Sequence, residues 1–413
     1  MKYIKKLENI MLYYCIFYLC TFYLFDVMVG RIFKYIFFAC LIYGIIGYFF
    51  RKLISKSLKY NTVFILGVAV FLVFVFQCFN VKESEQMMRG FYQYPFYLLI
   101  ICSTSYMSRN VNIDNMIKLL TRYGVVLSVC ALYEQISHHY IVGVGINGYF
   151  YKAILVDENT SSSIRAAVFS GSPLVFGMLM AILTVISFYC LLQKKCVLNF
   201  IVMLANFFGL ILSYSRAPLV FTVISMAFMY LYYDNELLFR LKKSRVTKIL
   251  FYFFLALLLL LLSSLFIPKV AFLLQRVMTI FNWDSNDANV TRFVIWQNVL
   301  KMIFDGNTFW IGEGPGYASG AIGFATESGV LKRLLELGVF SFFLYYFFLY
   351  RCVKKGTEIS RKRNNKYVIL SRSVILCILL EDIILQITES VSIAFFLYFF
   401  ISLLYYQPSV KRN

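Results

Sequence analysis

The stretch TRFVIWQNVLKMIFDGNTFWIGEGPGYASG, residues Thr291–Gly320, and the ESGVLKRLLELG that follows at Glu327–Gly338 belong to the longest polar part of an otherwise apolar chain. This polar segment occupies residues 268–333. Apolar runs long enough to cross a bilayer flank it on both sides. A membrane protein that keeps one large polar loop, with charges among its glycines, usually places its function there.

The composition excludes a water-soluble globule. Of the 413 residues, 61% are hydrophobic and 15% are charged, whereas a soluble domain has about half and about a quarter. The mean hydropathy is +0.75. Apolar runs of about 18 to 22 residues recur, which is the length that a helix needs to cross a membrane. Barrel strands would show alternating segments instead, so we predict an all-α polytopic membrane protein.

We interpret the chain as one membrane domain, residues 1–413, with twelve transmembrane helices. Its two long outer loops are predicted at 138–165 and 268–333, and the second is expected to contain short helices, one of them capped by Asn289 and stopped near Asp305. The runs are Ile10–Val29, Phe33–Phe50, Val63–Asn80, Phe91–Ser108, Ile117–Ser137, Ala166–Leu192, Val197–Ser213, Ala217–Tyr233, Ile249–Ile267, Leu334–Tyr350, Val368–Leu385 and Val391–Tyr406.

The basic residues predict the orientation. When the amino terminus is placed in the cytoplasm and the runs alternate, most of the 40 lysines and arginines fall in the inner loops. Both termini are then cytoplasmic and the 268–333 loop faces outward. This bias and anionic headgroups account for the net charge of +20. Because the basic clusters are short loops between spans, the charge does not indicate nucleic acid binding.

Cysteine and histidine patterns indicate neither a metal site nor a disulfide framework. The ten cysteines are scattered singly, with no C-x-x-C pair. The histidines are the adjacent pair His138 and His139, which cannot form a metal site alone and are interpreted as solvated loop residues. No nucleotide-binding or metal-binding motif is visible, so no cofactor and no metal are predicted.

Three arginines lie on the predicted outer side, where positive charge is disfavoured: Arg165, Arg216 and Arg292. Each of them could simply reach the membrane interface. Alternatively, the three converge on an anion, because guanidinium groups match phosphate oxygens two at a time. The second interpretation predicts a membrane-embedded phosphate or pyrophosphate ligand.

Carboxylates supply the candidate base and candidate sugar ligands. Glu327 is expected in the first turn of a helix that runs into the tenth span, where it is either a plain helix-start residue or a proton acceptor. Glu336 is expected to pair with Lys332 or Arg333. Three carboxylates within the runs, Asp26, Glu381 and Asp382, are expected either to bind sugar hydroxyls or to have a structural role, paired with arginines.

In these residues the chain resembles the O-antigen polymerase and O-antigen ligase superfamily of bacterial membrane proteins. The resemblance covers roughly Arg165 to Phe340. Its motifs are R-x-x-x-F-x-G-S-P at Arg165–Pro173, S-Y-S-R-A at Ser213–Ala217, R-x-x-x-W at Arg292–Trp296, G-x-G-P-G at Gly312–Gly316 and E-S-G-V-L-x-x-L-L-E-L-G at Glu327–Gly338.

The resemblance implies about a dozen spans, a large late outer loop in a GT-C-like arrangement, and action on polyprenyl-pyrophosphate-linked glycans outside the cytoplasmic membrane of a bacterium. Related ligases often have a histidine followed by asparagine near the position of Glu327 and Ser328. This difference favours a polymerase, in which Glu327 and Arg292 are catalytic and Arg165, Arg216 and Arg292 bind the pyrophosphate. The expected partners are the lipid-linked glycan, as donor and acceptor, membrane lipids, a flippase and a chain-length regulator.

Two other hypotheses stay open at this point. One is a ligase that passes a finished glycan to another acceptor. The other, from a different class, is a transporter or flippase of a lipid-linked sugar. The late, outward placement of the long loop argues against the transporter, whose long loop usually lies mid-chain and in the cytoplasm.

Overall fold

The computed structural model describes residues 2–28, 30–54, 62–146, 149–151, 164–233, 287–305, 309–318 and 326–406. These residues form a helical bundle with one short β-hairpin. The helices are α1 (Lys2–Met28), α2 (Ile32–Ile54), α3 (Thr62–Phe79), α4 (Ser84–Phe91), α5 (Tyr97–Met107), α6 (Ile113–Ser137), α7 (Pro173–Gln193), α8 (Val197–Leu212), α9 (Arg216–Tyr232), α10 (Asp287–Asp305), α11 (Gly329–Lys362), α12 (Val368–Ile384) and α13 (Val391–Leu403). The strands β1 (Val144–Ile146) and β2 (Tyr149–Tyr151) pair antiparallel.

The predicted polytopic helical fold is confirmed in its coarse form. In the described part of the chain, six helices are long and apolar enough to cross a membrane, and three shorter apolar helices accompany them. The predicted ninth run, Ile249–Ile267, lies outside the described residues. The predicted fourth run, Phe91–Ser108, begins at the last residue of α4 and continues through a π-helical turn at Tyr92–Phe96, which contains Pro95, into α5. The helical segment therefore starts earlier than predicted, at Ser84.

The sixth run is wrong at its start, where the sequence analysis placed Ala166 inside a helix. Residues 165–172 are not helical, and α7 begins at Pro173, whose fixed φ and missing N–H suit the first position of a helix. The tenth run is longer than predicted, since α11 continues to Lys362. The segment before Pro173 is therefore a loop, and it carries Arg165.

Small and amide side chains let the central helices approach closely. Asn206 of α8 donates to the Thr121 carbonyl oxygen of α6 (3.1 Å) and to Ser187 Oγ of α7 (2.5 Å). The Asn206 side chain lies against Gly124, where a Cβ would overlap it. In lipid, where apolar surface gives no preference for a partner helix, such hydrogen bonds and close contacts hold helices together.

The sequence analysis predicts that successive helices cross the membrane in alternating directions. Helix ends that this prediction assigns to the same side lie together in the structure. At one end of the bundle Asp114 contacts Lys366 (2.5 Å), and Arg109 lies within electrostatic range of Arg51 and Arg363. At the other end Gln77 of α3 donates to the carbonyl oxygens of Ile311 and Leu337, both at 2.9 Å. The motif loops of the sequence analysis occupy this second end.

A kink in α11 explains the G-x-G-P-G motif. Gly338 has φ +68°, which only glycine adopts without strain, and it interrupts the helical hydrogen bonding. Glu313 N–H then donates to the Leu335 carbonyl oxygen and Gly314 N–H to that of Glu336, both at 2.9 Å. A Cβ at Gly312 would overlap the Glu336 backbone, so the glycines are needed for this close approach.

Candidate functional site

The Arg165 loop and the Ser213–Arg216 turn form one unit. Arg165 donates through Nη2 to Ser215 Oγ (3.4 Å), and Ser215 Oγ donates to the Pro173 carbonyl oxygen (3.3 Å). Ser215 N–H in turn donates to Ser213 Oγ (3.2 Å). Arg216 is the first residue of α9. The two serines of S-Y-S-R therefore fix the turn that brings Arg165 next to the segment carrying Arg216.

Glu134 of α6, which the sequence analysis did not single out, holds the Arg165 loop in place. Its carboxylate is fully buried and accepts three backbone hydrogen bonds, from the N–H groups of Ile141 (3.0 Å), Ala167 (2.9 Å) and Val168 (3.1 Å). A carboxylate that accepts several backbone N–H groups is held in one position, and it holds the loop that donates them. Its one sequence signal is an acidic residue near the end of an apolar run.

Arg292 and Glu327 form an ion pair. Arg292 Nε lies 3.3 Å from Glu327 Oε2, and 29% of the arginine side chain and 32% of the glutamate side chain are exposed. α10 carries Arg292 and packs on α11 through Val299 and Ile303, which are buried in one cluster with Leu335. The two residues are thus brought together by packed helices while their charged ends stay accessible to a substrate.

Two details of this region differ from the prediction. The helix that carries Arg292 is described over Asp287–Asp305, so Asn289 is inside it rather than at its cap. The glycine of the predicted stop, Gly306, lies outside the described residues. Glu327 is not in the first turn of α11. Ser328 is the residue that caps α11, accepting a hydrogen bond from Leu331 N–H (3.3 Å), and Glu327 precedes that cap.

The backbone at Glu327 is strained and firmly held. Glu327 has φ +53°, a left-handed conformation that non-glycine residues rarely adopt. Its neighbours on both sides are anchored to the end of α12: Ser328 Oγ donates to the Ile383 carbonyl oxygen (2.7 Å), and Thr326 Oγ1 accepts from Gln386. The surrounding contacts therefore force the Glu327 side chain into one direction.

The same strain occurs in two other motif segments. Val168 has φ +46° and Tyr214 has φ +49°. Val168 lies three residues after Arg165, and Tyr214 two residues before Arg216. Strained residues of this kind persist where the surrounding structure enforces them, and they concentrate at functional sites. Each of the three segments that carry Arg165, Arg216 or Glu327 thus contains one left-handed non-glycine residue.

Glu381 of α12 lies on the Arg292 side of the bundle. It is fully buried, the charge of Arg292 acts on it, and neither carboxylate oxygen has a hydrogen-bond partner within the described residues. Cys377 of α12 contacts Thr222 of α9, and Arg372 contacts Phe228. α9 and α12 therefore run antiparallel, which places Glu381 level with the start of α9, where Arg216 lies.

The two other carboxylates that were candidate sugar ligands have different surroundings. Asp382 is buried and pairs with Arg333, and it also accepts a hydrogen bond from Thr388 Oγ1 (2.7 Å). These contacts are those of a residue with a structural role. Asp26 is half-buried on α1 and accepts from the Tyr18 hydroxyl (3.2 Å).

A second ionic network, centred on Glu336 of α11, holds the loop that contains Ala318. The predicted pairing of Glu336 with Lys332 is confirmed, with 3.7 Å between Lys332 Nζ and Glu336 Oε1. Glu336 also accepts from the Tyr94 hydroxyl (2.5 Å) and from Ala318 N–H (2.9 Å). Burial, and to a lesser degree the charge of Glu313, raise the pKa of Tyr317 beside it.

Cysteine and histidine side chains lie outside this site. All ten cysteines are free thiols, and His138 and His139 are exposed at the end of α6. The described residues contain no group of three or more histidine, cysteine or acidic side chains that could hold a metal ion.

Comparison with known proteins gives one match. A family model described as O-Antigen ligase matches residues 198–346, roughly a third of the chain. The match runs from α8 into α11 and includes Arg216, Arg292 and Glu327, while Arg165 and Glu381 lie outside it. No curated protein matches the chain.

Proposed function

We propose that the chain is a glycosyltransferase that joins polyprenyl-pyrophosphate-linked repeat units into a surface polysaccharide. The family model described as O-Antigen ligase, which matches residues 198–346, supports this proposal. The product is an O-antigen, a capsule or an exopolysaccharide. The donor and the acceptor are both lipid-linked glycans, and the activated donor supplies the energy. The reaction as proposed uses no metal and no cofactor.

The observation that carries this proposal is the contact between Arg292 and Glu327. A guanidinium and a carboxylate that are each about a third exposed meet at 3.3 Å, and the carboxylate belongs to a residue with a strained, anchored backbone. Glycosyl transfer from a pyrophosphate needs both groups: a cation for the leaving group and a base for the attacking hydroxyl. The hydrogen bond from Arg165 to Ser215 brings Arg165 next to the segment that carries Arg216, and these are the two other cations of the proposed site.

The proposed reaction is a direct displacement. A hydroxyl oxygen of the acceptor sugar attacks the anomeric carbon of the donor glycan and forms the new glycosidic bond. The bond from that carbon to the pyrophosphate oxygen breaks, and the electron pair leaves with the polyprenyl pyrophosphate. Glu327 takes the hydroxyl proton, and Arg165, Arg216 and Arg292 stabilise the charge that grows on the pyrophosphate. A single displacement inverts the anomeric configuration.

The ion pair also couples donor binding to the release of Glu327. A bound pyrophosphate carries more negative charge than a carboxylate and draws Arg292 toward itself. The Glu327 carboxylate, which Arg292 contacts at 3.3 Å, is then free to contact the attacking hydroxyl.

A ligase is the second candidate, because the matching family model is described as O-Antigen ligase. The same residues would then transfer one finished glycan to a different acceptor. The two candidates differ in product: a polymerase given only lipid-linked repeats produces a ladder of lengths, whereas a ligase produces no product longer than its donor.

The test is a turnover assay with purified protein and lipid-linked repeats. Removing one donor to the developing anion costs about 10²–10³ in rate, and removing a general base costs about 10²–10⁴. Arg292→Ala and Glu327→Gln are therefore each expected to reduce ladder formation at least about a hundredfold. Arg292→Lys keeps the charge but loses the planar fork, and it is expected to fall between wild type and Arg292→Ala. Arg122→Ala, on the exposed face of α6, is the matched control. Retention of half the activity in Arg292→Ala would refute the mechanism.

We further infer that the protein lies in the cytoplasmic membrane with both termini in the cytoplasm. The site end of the bundle then faces outward, where a flippase delivers lipid-linked repeats and a chain-length regulator acts. Reporter fusions at Ser285 and Ser319 test this orientation. Signals from outside the cytoplasm support it, while cytoplasmic signals favour the transporter of a lipid-linked sugar.

A further inference from the structure

A large apolar cavity lies at the opposite end of the bundle from Arg292 and Glu327. Its volume is about 860 Å³, and α2, α3, α5, α11 and α13 supply its walls. Aromatic and aliphatic side chains dominate the lining, among them Phe49, Phe64, Phe71, Leu98 and Phe348. Sites for small molecules have volumes of about 300–1,000 Å³ and are mostly apolar with a few polar groups. The cavity is therefore large enough for an extended hydrocarbon chain.

One end of the cavity is cationic. Arg109 and Arg363 both line it, and Arg51 lies within electrostatic range of Arg109. Arg51 and Arg363, which carry the same sign of charge, both act on Arg109, together with the side chains of Tyr48 and Tyr106. Burial, followed by the like charge of Arg51, lowers the pKa of Arg109. Three cations held close together are expected where an anion binds among them.

The acidic side chain that shares a pocket with Arg109 has other partners. Asp114 lies in a neighbouring polar pocket of about 470 Å³, whose wall also includes Arg109. It contacts Lys366 Nζ (2.5 Å) and accepts from the Tyr367 hydroxyl (2.9 Å). The charge of Asp114 is therefore directed to Lys366.

The cavity is open toward the membrane along α3. Val68 and Leu72 line it and are exposed, Leu72 by 59%. An apolar chain can enter from the bilayer between these side chains, while a headgroup stays at the arginines. A soluble anion would bind only at the cationic end and would leave the apolar part of the cavity empty.

We propose that this cavity binds an anionic phospholipid. Its phosphate contacts Arg109 and Arg363 and lies near Arg51, and one of its acyl chains fills the apolar part of the cavity. Charge complementarity selects an anionic headgroup, and the open mouth along α3 selects a molecule that comes from the bilayer. The predicted orientation places the arginines in the cytoplasmic leaflet, which is rich in anionic lipid. This site does not depend on the proposed glycosyl transfer.

The experiment measures thermal stabilisation of the purified full-length chain in neutral detergent with added lipid. Phosphatidylglycerol is compared with phosphatidylcholine and with inorganic phosphate. Charge-assisted contacts of this kind correspond to at least about a tenfold difference in affinity. We therefore expect phosphatidylglycerol to reach half-maximal stabilisation at a concentration about tenfold or more below that of phosphatidylcholine. Inorganic phosphate alone is expected to give no stabilisation.

Two kinds of variant separate the headgroup from the chain. Arg109→Gln or Arg363→Gln is expected to reduce the preference for phosphatidylglycerol to about twofold or less, whereas the matched control Arg122→Gln keeps it. Val68→Trp places a large side chain in the opening of the cavity along α3. Both lipids are therefore expected to bind more weakly, while the ratio of their affinities stays unchanged. This variant also tests the site if an arginine variant fails to fold.

Three results would overturn the proposal. The first is equal stabilisation by the two phospholipids, or by inorganic phosphate. The second is an unchanged preference in both arginine variants. The third is that polyprenyl phosphate binds more tightly than phosphatidylglycerol and that Val68→Trp abolishes this binding. The occupant of the cavity would then be the polyprenyl chain.

Discussion

Glu134→Gln is expected to loosen the Arg165 loop while leaving its shape nearly unchanged. In the wild type, Glu134 Oε2 accepts from Ala167 and Val168, and Oε1 accepts from Ile141. A glutamine has one acceptor oxygen and one NH₂ donor. If its oxygen keeps the first two bonds, its NH₂ faces the Ile141 N–H, and donor meets donor.

The magnitude follows from these three bonds. Hydrogen bonds to a charged group contribute about 1.5–3 kcal/mol each and neutral ones about 0.5–1.5 kcal/mol. The substitution removes one bond and weakens two, while it also removes the cost of burying a charge. A net loss of about 1–3 kcal/mol of stability is therefore expected, which corresponds to a Tm lower by about 2–6 °C.

The assay is thermal unfolding of the purified protein in detergent, followed by turnover of lipid-linked repeats. Glu358→Gln is the matched control, since its carboxylate is 45% exposed and pairs with Lys355 at the other end of the bundle. Such a surface pair contributes about 0–1 kcal/mol. The KM for the donor should also rise in Glu134→Gln, because Arg165 is carried by the loosened loop. Equal Tm and equal KM for Glu134→Gln and Glu358→Gln would refute this reasoning.

The remaining predictions concern the ionic network around α11. Gly329→Ala places a methyl group on the Asp382 carboxylate and must displace the pair with Arg333, so a loss of about 1–3 kcal/mol is expected in thermal unfolding. In Gly67→Ala the added methyl group meets the Phe348 ring at 3.0 Å, and the loss of stability should be smaller than in Gly329→Ala. A larger loss in Gly67→Ala would contradict the importance of the buried pair between Arg333 and Asp382. Tyr94→Phe removes the 2.5 Å bond to the charged Glu336 and should destabilise by about 1.5–3 kcal/mol, against about 0.5–1.5 kcal/mol for Tyr345→Phe, which loses only its neutral contact with Tyr398. Equal Tm changes in the two tyrosine variants would show that Glu336 does not depend on Tyr94.

Hydropathy was sufficient for the coarse helical fold, because the length of apolar runs and the length of helices are both set by the membrane thickness. Hydropathy failed where polar contacts decide local structure. Ala166 to Ser172 reads as part of an apolar run, yet these residues form a loop because Glu134 binds two of their backbone N–H groups. No local pattern reports a hydrogen bond across 33 residues of sequence.

The candidate site was predictable as a set of residue types and only partly as a geometry. An arginine at 292 and a glutamate at 327 were recognisable, but their contact depends on the packing of α10 against α11. Glu327 precedes the helix cap Ser328 and is not in the first turn, because it adopts a left-handed backbone that sequence propensity disfavours. Asp382 and Glu381 are neighbours in sequence, but one pairs with Arg333 and the other faces Arg292. Only tertiary structure distinguishes them.

The affinity of polyprenyl pyrophosphate for single variants tests the central claim most directly. If three guanidinium groups hold the pyrophosphate, Arg165→Ala, Arg216→Ala and Arg292→Ala should each weaken binding by about tenfold or more. Glu327→Gln frees Arg292 from its partner and should bind as tightly as wild type or more tightly. Wild-type affinity in any of the three arginine variants, or an equal loss in Glu327→Gln, would contradict the account.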